Sequence, residues 1–220
     1  MTNRAASLAL ALGVVGAAAA PPESPAAPTP AGAPRREVLD VEPNHTTIGF
    51  AVAIAGGMTR VTGKFTRFDV RIVLDPDPSA SSVDARIDTA SIDTGIAERD
   101  THLRGPDFFD VSRYPQMRFT SRRIEKRGEG WVATGTFDLH GHTEELEVPF
   151  RVTGLEREQQ GSRLGVAAAL TLDRQRFGVG SGWHHSAIPN FIADRVDVEI
   201  FLWTKTGRPE AAGPNATEDR

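Results

Sequence analysis

Apolar and small or polar residues alternate with a period of two along most of the stretch from Ile48 to Leu202, and no other feature limits the fold as much. That period marks extended strands with one buried face. Ile48, Phe50, Val52 and Ile54 fall on one side of a first strand, with Gly49, Ala51 and Ala53 on the other. Val61, Gly63 and Phe65 begin a second strand, and the pattern slips by one before resuming at Phe68, Val70, Ile72 and Leu74. The slip predicts a β-bulge near Thr66–Arg67. Pro76 and Pro78 then end the strand, because proline cannot donate to the ladder. Further strands are expected at Val83–Ile87, Met117–Phe119, Trp131–Leu139, Leu146–Val152, Leu164–Leu172 and Val196–Leu202. No segment keeps a long helical period; Ile96–Arg104 is the best short candidate.

Eight one-sided antiparallel strands make an all-β domain, either a closed barrel or a sandwich. Closure has the advantage of removing exposed strand edges. An eight-stranded barrel lies at the margin between an interior filled by its own side chains and one that holds a small ligand. Periodicity does not separate those two outcomes. The same inward residues would serve either.

The chain ends are set apart by composition. Residues 1–20 read as a signal peptide: Arg4 supplies a positive charge, Ser7–Val15 is apolar, and Ala17–Ala20 offers small-residue cleavage sites. The apolar run is shorter than the ~20 residues of a membrane helix, so no stable span is expected once it is removed. The expected location is periplasmic or secreted. Residues 21–36 form a Pro/Ala-rich linker, and residues 206–220 are expected to be a loose polar tail. The span 37–205 remains as one domain with a sizeable core. The absence of cysteine excludes disulfides and a lipid-modified cysteine anchor. A formal net charge of −4 gives no electrostatic case for nucleic acid. The one basic cluster, Arg122, Arg123, Lys126 and Arg127, flanks a glycine-containing turn and reads as a solvated hairpin tip.

Few residues suggest chemistry. His140, His142, His184 and His185 could be ligands, but a zinc site takes three or four converging donors, and these read as turn histidines. No metal or cofactor is assigned. Arg99, Asp100 and His102 resemble an acid–base cluster, although an Arg–carboxylate pair tying down a short helix accounts for them more simply. No catalytic residue is assigned. A competing reading keeps Asp100 and His102 as acid–base groups of an enzyme acting on a buried hydrophobic substrate, and a third is an interaction module with a filled barrel. The G-x-G-x-G run around Trp183 lacks the strand–turn–helix setting of a nucleotide loop. It reads as a loop at a barrel mouth, with Trp183, His184 and Phe191 as gating rings.

Between Ile87 and Met117 the sequence carries more specific information. Ser91-Ile-Asp-Thr94, Arg99-Asp-x-His-Leu103, Asp107-Phe-Phe-Asp-Val111 and Tyr114-Pro-x-Met-x-Phe119 follow one another in order. Val61-x-Gly-x-Phe65, Gly135-x-x-x-Leu-His-Gly-His-Thr143, Asp173-Arg174, Phe177-Gly178 and Ile192-Ala-Asp-x-Val196 extend the pattern. In this order and spacing, over Val38–Trp203, the chain resembles the YceI-like family of lipid-binding barrels. The resemblance implies an eight-stranded antiparallel, lipocalin-like barrel with a helical excursion near residues 96–110. It also implies an apolar tunnel holding a polyisoprenoid, a quinone-like molecule or another long-chain amphiphile, as an exported carrier or reservoir and not an enzyme. The expected ligand-binding residues are Phe50, Val52, Phe65, Phe119, Phe137, Phe150, Trp183 and Ile200. Burial of about ten methylenes at ~0.8 kcal/mol each would give roughly 8 kcal/mol gross. A homodimer is left open. One departure is Ala55, where the family often has histidine, which alters the head-group preference if that histidine meets the ligand's polar end.

Overall fold

The computed structural model describes residues 35–158 and 160–210. The signal-peptide segment 1–20, linker residues 21–34 and tail residues 211–220 lie outside the described residues. Along the chain run β1 (Glu37–Asp40), β2 (Thr47–Ile54), β3 (Thr59–Phe65), β4 (Phe68–Leu74), β5 (Ser82–Asp88) and β6 (Ile92–Asp93). Then follow α1 (Ala97–Arg104), β7 (Gln116–Arg127), β8 (Gly130–Leu139), β9 (His142–Glu158), β10 (Gly161–Asp173), β11 (Ile192–Trp203) and β12 (Arg208–Pro209). Every strand pairing is antiparallel.

Among the described residues twelve strands replace the eight expected, because bends divide four ribbons in two. β2 and β1 lie side by side against β3 and β4, while β6 and β5 cover the opposite edges of the same two strands. β7, β8, β9, β10 and β11 continue in order, and β11 returns to β2. β12 pairs with β1 as the continuation of β11. Each ribbon therefore has two neighbours and the sheet closes on itself. The seam is fixed by Thr204, which is fully buried: its N–H donates to the Leu164 carbonyl at 3.0 Å, and its Oγ1 accepts from the Leu164 N–H at 2.9 Å.

The irregularity expected as a bulge at Thr66–Arg67 is a bend there, and the additional residues lie on the neighbouring ribbon. The Thr66 N–H donates to the Ser91 carbonyl at 3.1 Å and the Asp88 N–H to the Arg67 carbonyl at 3.0 Å. Between the pairs Phe65–Ile92 and Phe68–Ile87 the first ribbon has two residues and the second has four, so the extra residues fall at 88–91 and not at 66–67. Register shifts do occur at Ser121/Arg123 between β7 and β8, and at Gly165/Val166 between β10 and β9. Beside the first of these, a Cβ on Gly135 would stand 2.3 Å from the Thr120 carbonyl oxygen, so only glycine allows the two backbones to approach. The two-residue β8–β9 turn has positive φ at both His140 and Gly141, the geometry that matches strand twist in a hairpin. Arg208–Pro209 pair with Val38 and Glu37, and Arg36 pairs with Asp75 and Glu210.

The basic residues of β7 do not stand alone in solvent. Arg122, Arg123 and Arg127 face Glu145, Glu125 and Glu147 at 3.5, 3.3 and 2.9 Å. Such exposed pairs stabilise little.

Burial around the ring is uneven. Leu39, Val70, Ile72, Ile92, Met117 and Phe177 are almost fully buried. Phe50, Val52, Phe119, Phe150, Ile200 and Leu202 point to the same interior yet are only half-buried. A close-packed core leaves no such exposure. The interior is not filled by its own side chains.

Candidate functional site

The opening is a single elongated cavity of about 750 Å³ bounded by the inner faces of the ribbons. That volume is within the ~300–1,000 Å³ range of small-molecule sites. Phe50, Val52, Phe65, Phe119, Phe137, Phe150, Trp183 and Ile200 all line it. Phe50 and Phe65 sit on neighbouring ribbons with ring centroids 5.8 Å apart, and Phe137 meets Phe177 edge-on at 5.4 Å. The filled-barrel alternative does not survive this geometry.

The wall is apolar along its length and polar only near its ends. One end lies under α1 and the segment 174–192, where Arg99, His102 and Arg174 join the lining. At the other, Asp75, Ser81 and Arg157 reach it. Asp75 is held there by the Ser81 hydroxyl, which accepts from its N–H at 3.0 Å, and by Arg36 at 3.0 Å.

An eight-residue helix is marginal in water, so α1 depends on its anchors. Glu98 and Asp100 lie in its first turn and His102 and Arg104 in its last, in accord with the helix dipole. Arg104 donates to the carbonyls of Ala90 at 2.8 Å and Ile92 at 2.7 Å. Asp100 is buried and accepts from the Thr94 N–H at 2.9 Å and hydroxyl at 2.5 Å. Arg99 donates through Nε to Thr94 Oγ1 at 2.8 Å and through Nη2 to the Thr94 carbonyl at 2.9 Å. The expected Arg99–Asp100 pair is therefore replaced by a relay through Thr94. The helix is tied down as anticipated, by different bonds.

The segment after β10 is held in the same way. Arg174 donates to the carbonyls of Ala193, Val179 and Ile192 and to Asp194. Burial pulls its guanidinium below the ordinary arginine range, against the opposing pull of Asp194 and Asp173. Trp183 then covers the cavity end, 5.7 Å from Phe108, 6.0 Å from His102 and 6.2 Å from Phe191 between ring centroids. His184 was expected in this group but is exposed; His185 takes the position, stacked on Phe191 at 4.5 Å. Ala55 lies at the same end, beside the cavity-lining Ile54, and its N–H donates to the Phe191 carbonyl at 2.8 Å. His140 donates from Nδ1 to the Phe177 carbonyl at 3.1 Å, and among the described residues no three histidines or carboxylates converge on a metal-sized site.

Pattern reading missed Arg99, His102, Leu103, Phe108 and Arg174 as lining groups. They belong to a short helix and to loops, where no period of two announces which side faces inward.

Comparison with known proteins gives a consistent set of matches. The model of the YceI-like domain matches residues 39–202. A UPF0312 protein of Vibrio cholerae is 34% identical over 145 residues, covering 64% of this chain and 76% of the relative. The crystal structure of Burkholderia cenocepacia BcnA superposes with a TM-score of 0.66 at 25% identity, over 75% of this chain and 99% of that one. A polyisoprenoid binding domain from Saccharophagus degradans, at 18% identity, shares the fold with a TM-score of 0.57 over 79% of this chain and 99% of that one.

Proposed function

Since the chain belongs to the YceI-like domain family, we propose that it binds a long-chain isoprenoid or similar amphiphile inside its barrel, as an exported carrier or reservoir. The observation that carries this reading is the apolar cavity of about 750 Å³, with polar groups confined to its two ends. A polar molecule entering it would give up hydration without finding partners, whereas an alkyl or prenyl chain loses nothing. The Saccharophagus degradans domain of the same fold, described as polyisoprenoid binding, supports the choice of chain. The signal-like pattern of residues 1–20 supports export.

The capacity can be sized. Taking roughly 30 Å³ per methylene-sized group, a water's share of liquid volume, the cavity holds on the order of 25 such groups. At ~0.8 kcal/mol each, complete filling would approach ~20 kcal/mol gross, near the ceiling for non-covalent binding. Ordering a flexible chain takes back a large part of that. Affinity should therefore climb steeply with chain length until the cavity is full. Titration with prenyl alcohols of increasing length, followed by intrinsic tryptophan fluorescence, tests this: about tenfold or more tighter binding per added isoprene unit is expected, then a plateau. Affinity independent of chain length would overturn the reading.

A further inference from the structure

The two cavity ends differ in charge, and the difference gives the ligand a direction. At the α1 end the lining contributes Arg99, His102 and Arg174 and no carboxylate. The carboxylates nearby are already engaged: Asp100 by Thr94, Asp107 by His102 Nε2 at 3.3 Å, and Asp194 by Arg174. Arg174 itself is used up in fixing the loop that carries Trp183. Arg99 is different. Among the described residues no carboxylate lies within ion-pairing distance of it, and its two bonds to Thr94 leave Nη1 without a partner. At the opposite end Asp75 and Arg157 bring both signs together.

The Arg99 guanidinium is also oriented in advance. Thr94, held on its other side by the buried Asp100, fixes the plane of the fork, so little side-chain freedom is lost when a ligand binds. His102 lies three residues on, on the same face of α1 and on the same cavity wall. Trp183 and Phe108 pack against its ring, which remains exposed to solvent on its other side. Arg99 is half-buried, and a charge-assisted bond to it is stronger than one in open solvent. From this arrangement we infer that the amphiphile carries an anionic oxygen head group, a phosphate or a carboxylate, which seats on Arg99 Nη1 at the α1 end while the chain extends toward Asp75. The inference rests on the lipid-binding reading above and names the ligand class within it.

Matched pairs test it: farnesyl monophosphate against farnesol, and palmitate against hexadecanol, titrated into wild type, Arg99→Gln and Arg157→Gln. Wild type should prefer the anion in at least one pair by about tenfold or more, and the pair that shows it identifies phosphate or carboxylate as the source. Arg99→Gln should abolish that preference while alcohol binding persists, which also shows that the variant folds. Arg157→Gln should retain it. Equal binding of anion and alcohol by wild type, or loss of preference in Arg157→Gln instead of Arg99→Gln, overturns the head-group assignment and leaves the lipid-binding reading standing. No binding of any of the four chains overturns both.

Discussion

Placing a large ring inside the cavity should block binding without unfolding the barrel. Val148 on β9 lines the cavity and is only half-buried, so Val148→Trp puts about seven additional heavy atoms into empty space. If each displaces one ligand methylene, roughly 5 kcal/mol of gross binding is lost. Part of this returns because a shorter stretch of ligand is ordered; allowing for half leaves ~2–3 kcal/mol, about a hundredfold weaker binding. The same change in packed surroundings behaves differently. Leu39 on β1 has no exposed surface, and Leu39→Trp must push its neighbours apart at a cost of about 1–3 kcal/mol or more. For a domain of this size that lowers Tm by roughly 2–4 °C per kcal/mol. Calorimetry and prenyl-alcohol titration read the two effects separately. Val148→Trp should hold its Tm and lose affinity, whereas Leu39→Trp should lose Tm. A stable Val148→Trp protein that binds as wild type does would refute the argument that the chain occupies this volume.

Three other outcomes follow from the same structure. Gly135→Ala forces a methyl to 2.3 Å from the Thr120 carbonyl; a loss of about 2–4 kcal/mol is expected in chemical denaturation, and a change under 0.5 kcal/mol would contradict the close approach. Arg174→Met removes donors to three carbonyls and Asp194, so hydrogen exchange should accelerate across residues 178–194 while β8 and β9 stay protected; uniform exchange across the domain would contradict a local latch. Asp77 is held below the ordinary carboxylate range by hydrogen bonds from the side chain and backbone of Ser79, and Asp197 by bonds from Thr171 and Arg60. A depressed folded-state value contributes stability that is complete above the unfolded value near ~4 and is lost as pH falls through the folded one. Tm should therefore be level down to about pH 5 and fall below ~4, with a shallower fall in Asp197→Asn; an unchanged slope in that variant would remove Asp197 from the account.

The strand pattern was legible wherever a ribbon has one face in the cavity and one in solvent, as in Phe50–Ile54, Phe137–Leu139 and Val196–Leu202. It was not legible in Glu37–Asp40, Ile92–Asp93 or Arg208–Pro209, each too short to show a period. The step at Thr66–Arg67 showed as a slipped pattern, but a slip reports only that facing changes. It does not say that a second ribbon bends alongside. Whether the interior was open was also hidden, because alternation records which way Phe119 or Ile200 points and not how far it stands from the opposite wall. Ile87 and Phe119 read alike in the sequence and both line the cavity, yet one is buried and the other only half-buried. Arg99 and Arg174 owe their positions to Thr94 and to carbonyls of other loops, partners that no spacing rule connects to them.

The most direct test of the central claim is a crystal structure of the protein saturated with geranylgeraniol. The account predicts continuous elongated density along the barrel axis, between the Trp183–Phe108 end and the Asp75 end, in contact with Phe50, Phe119 and Phe150. An interior that stays empty or holds only discrete waters, with the ligand on the outer surface near Phe201 and Trp203, would contradict it.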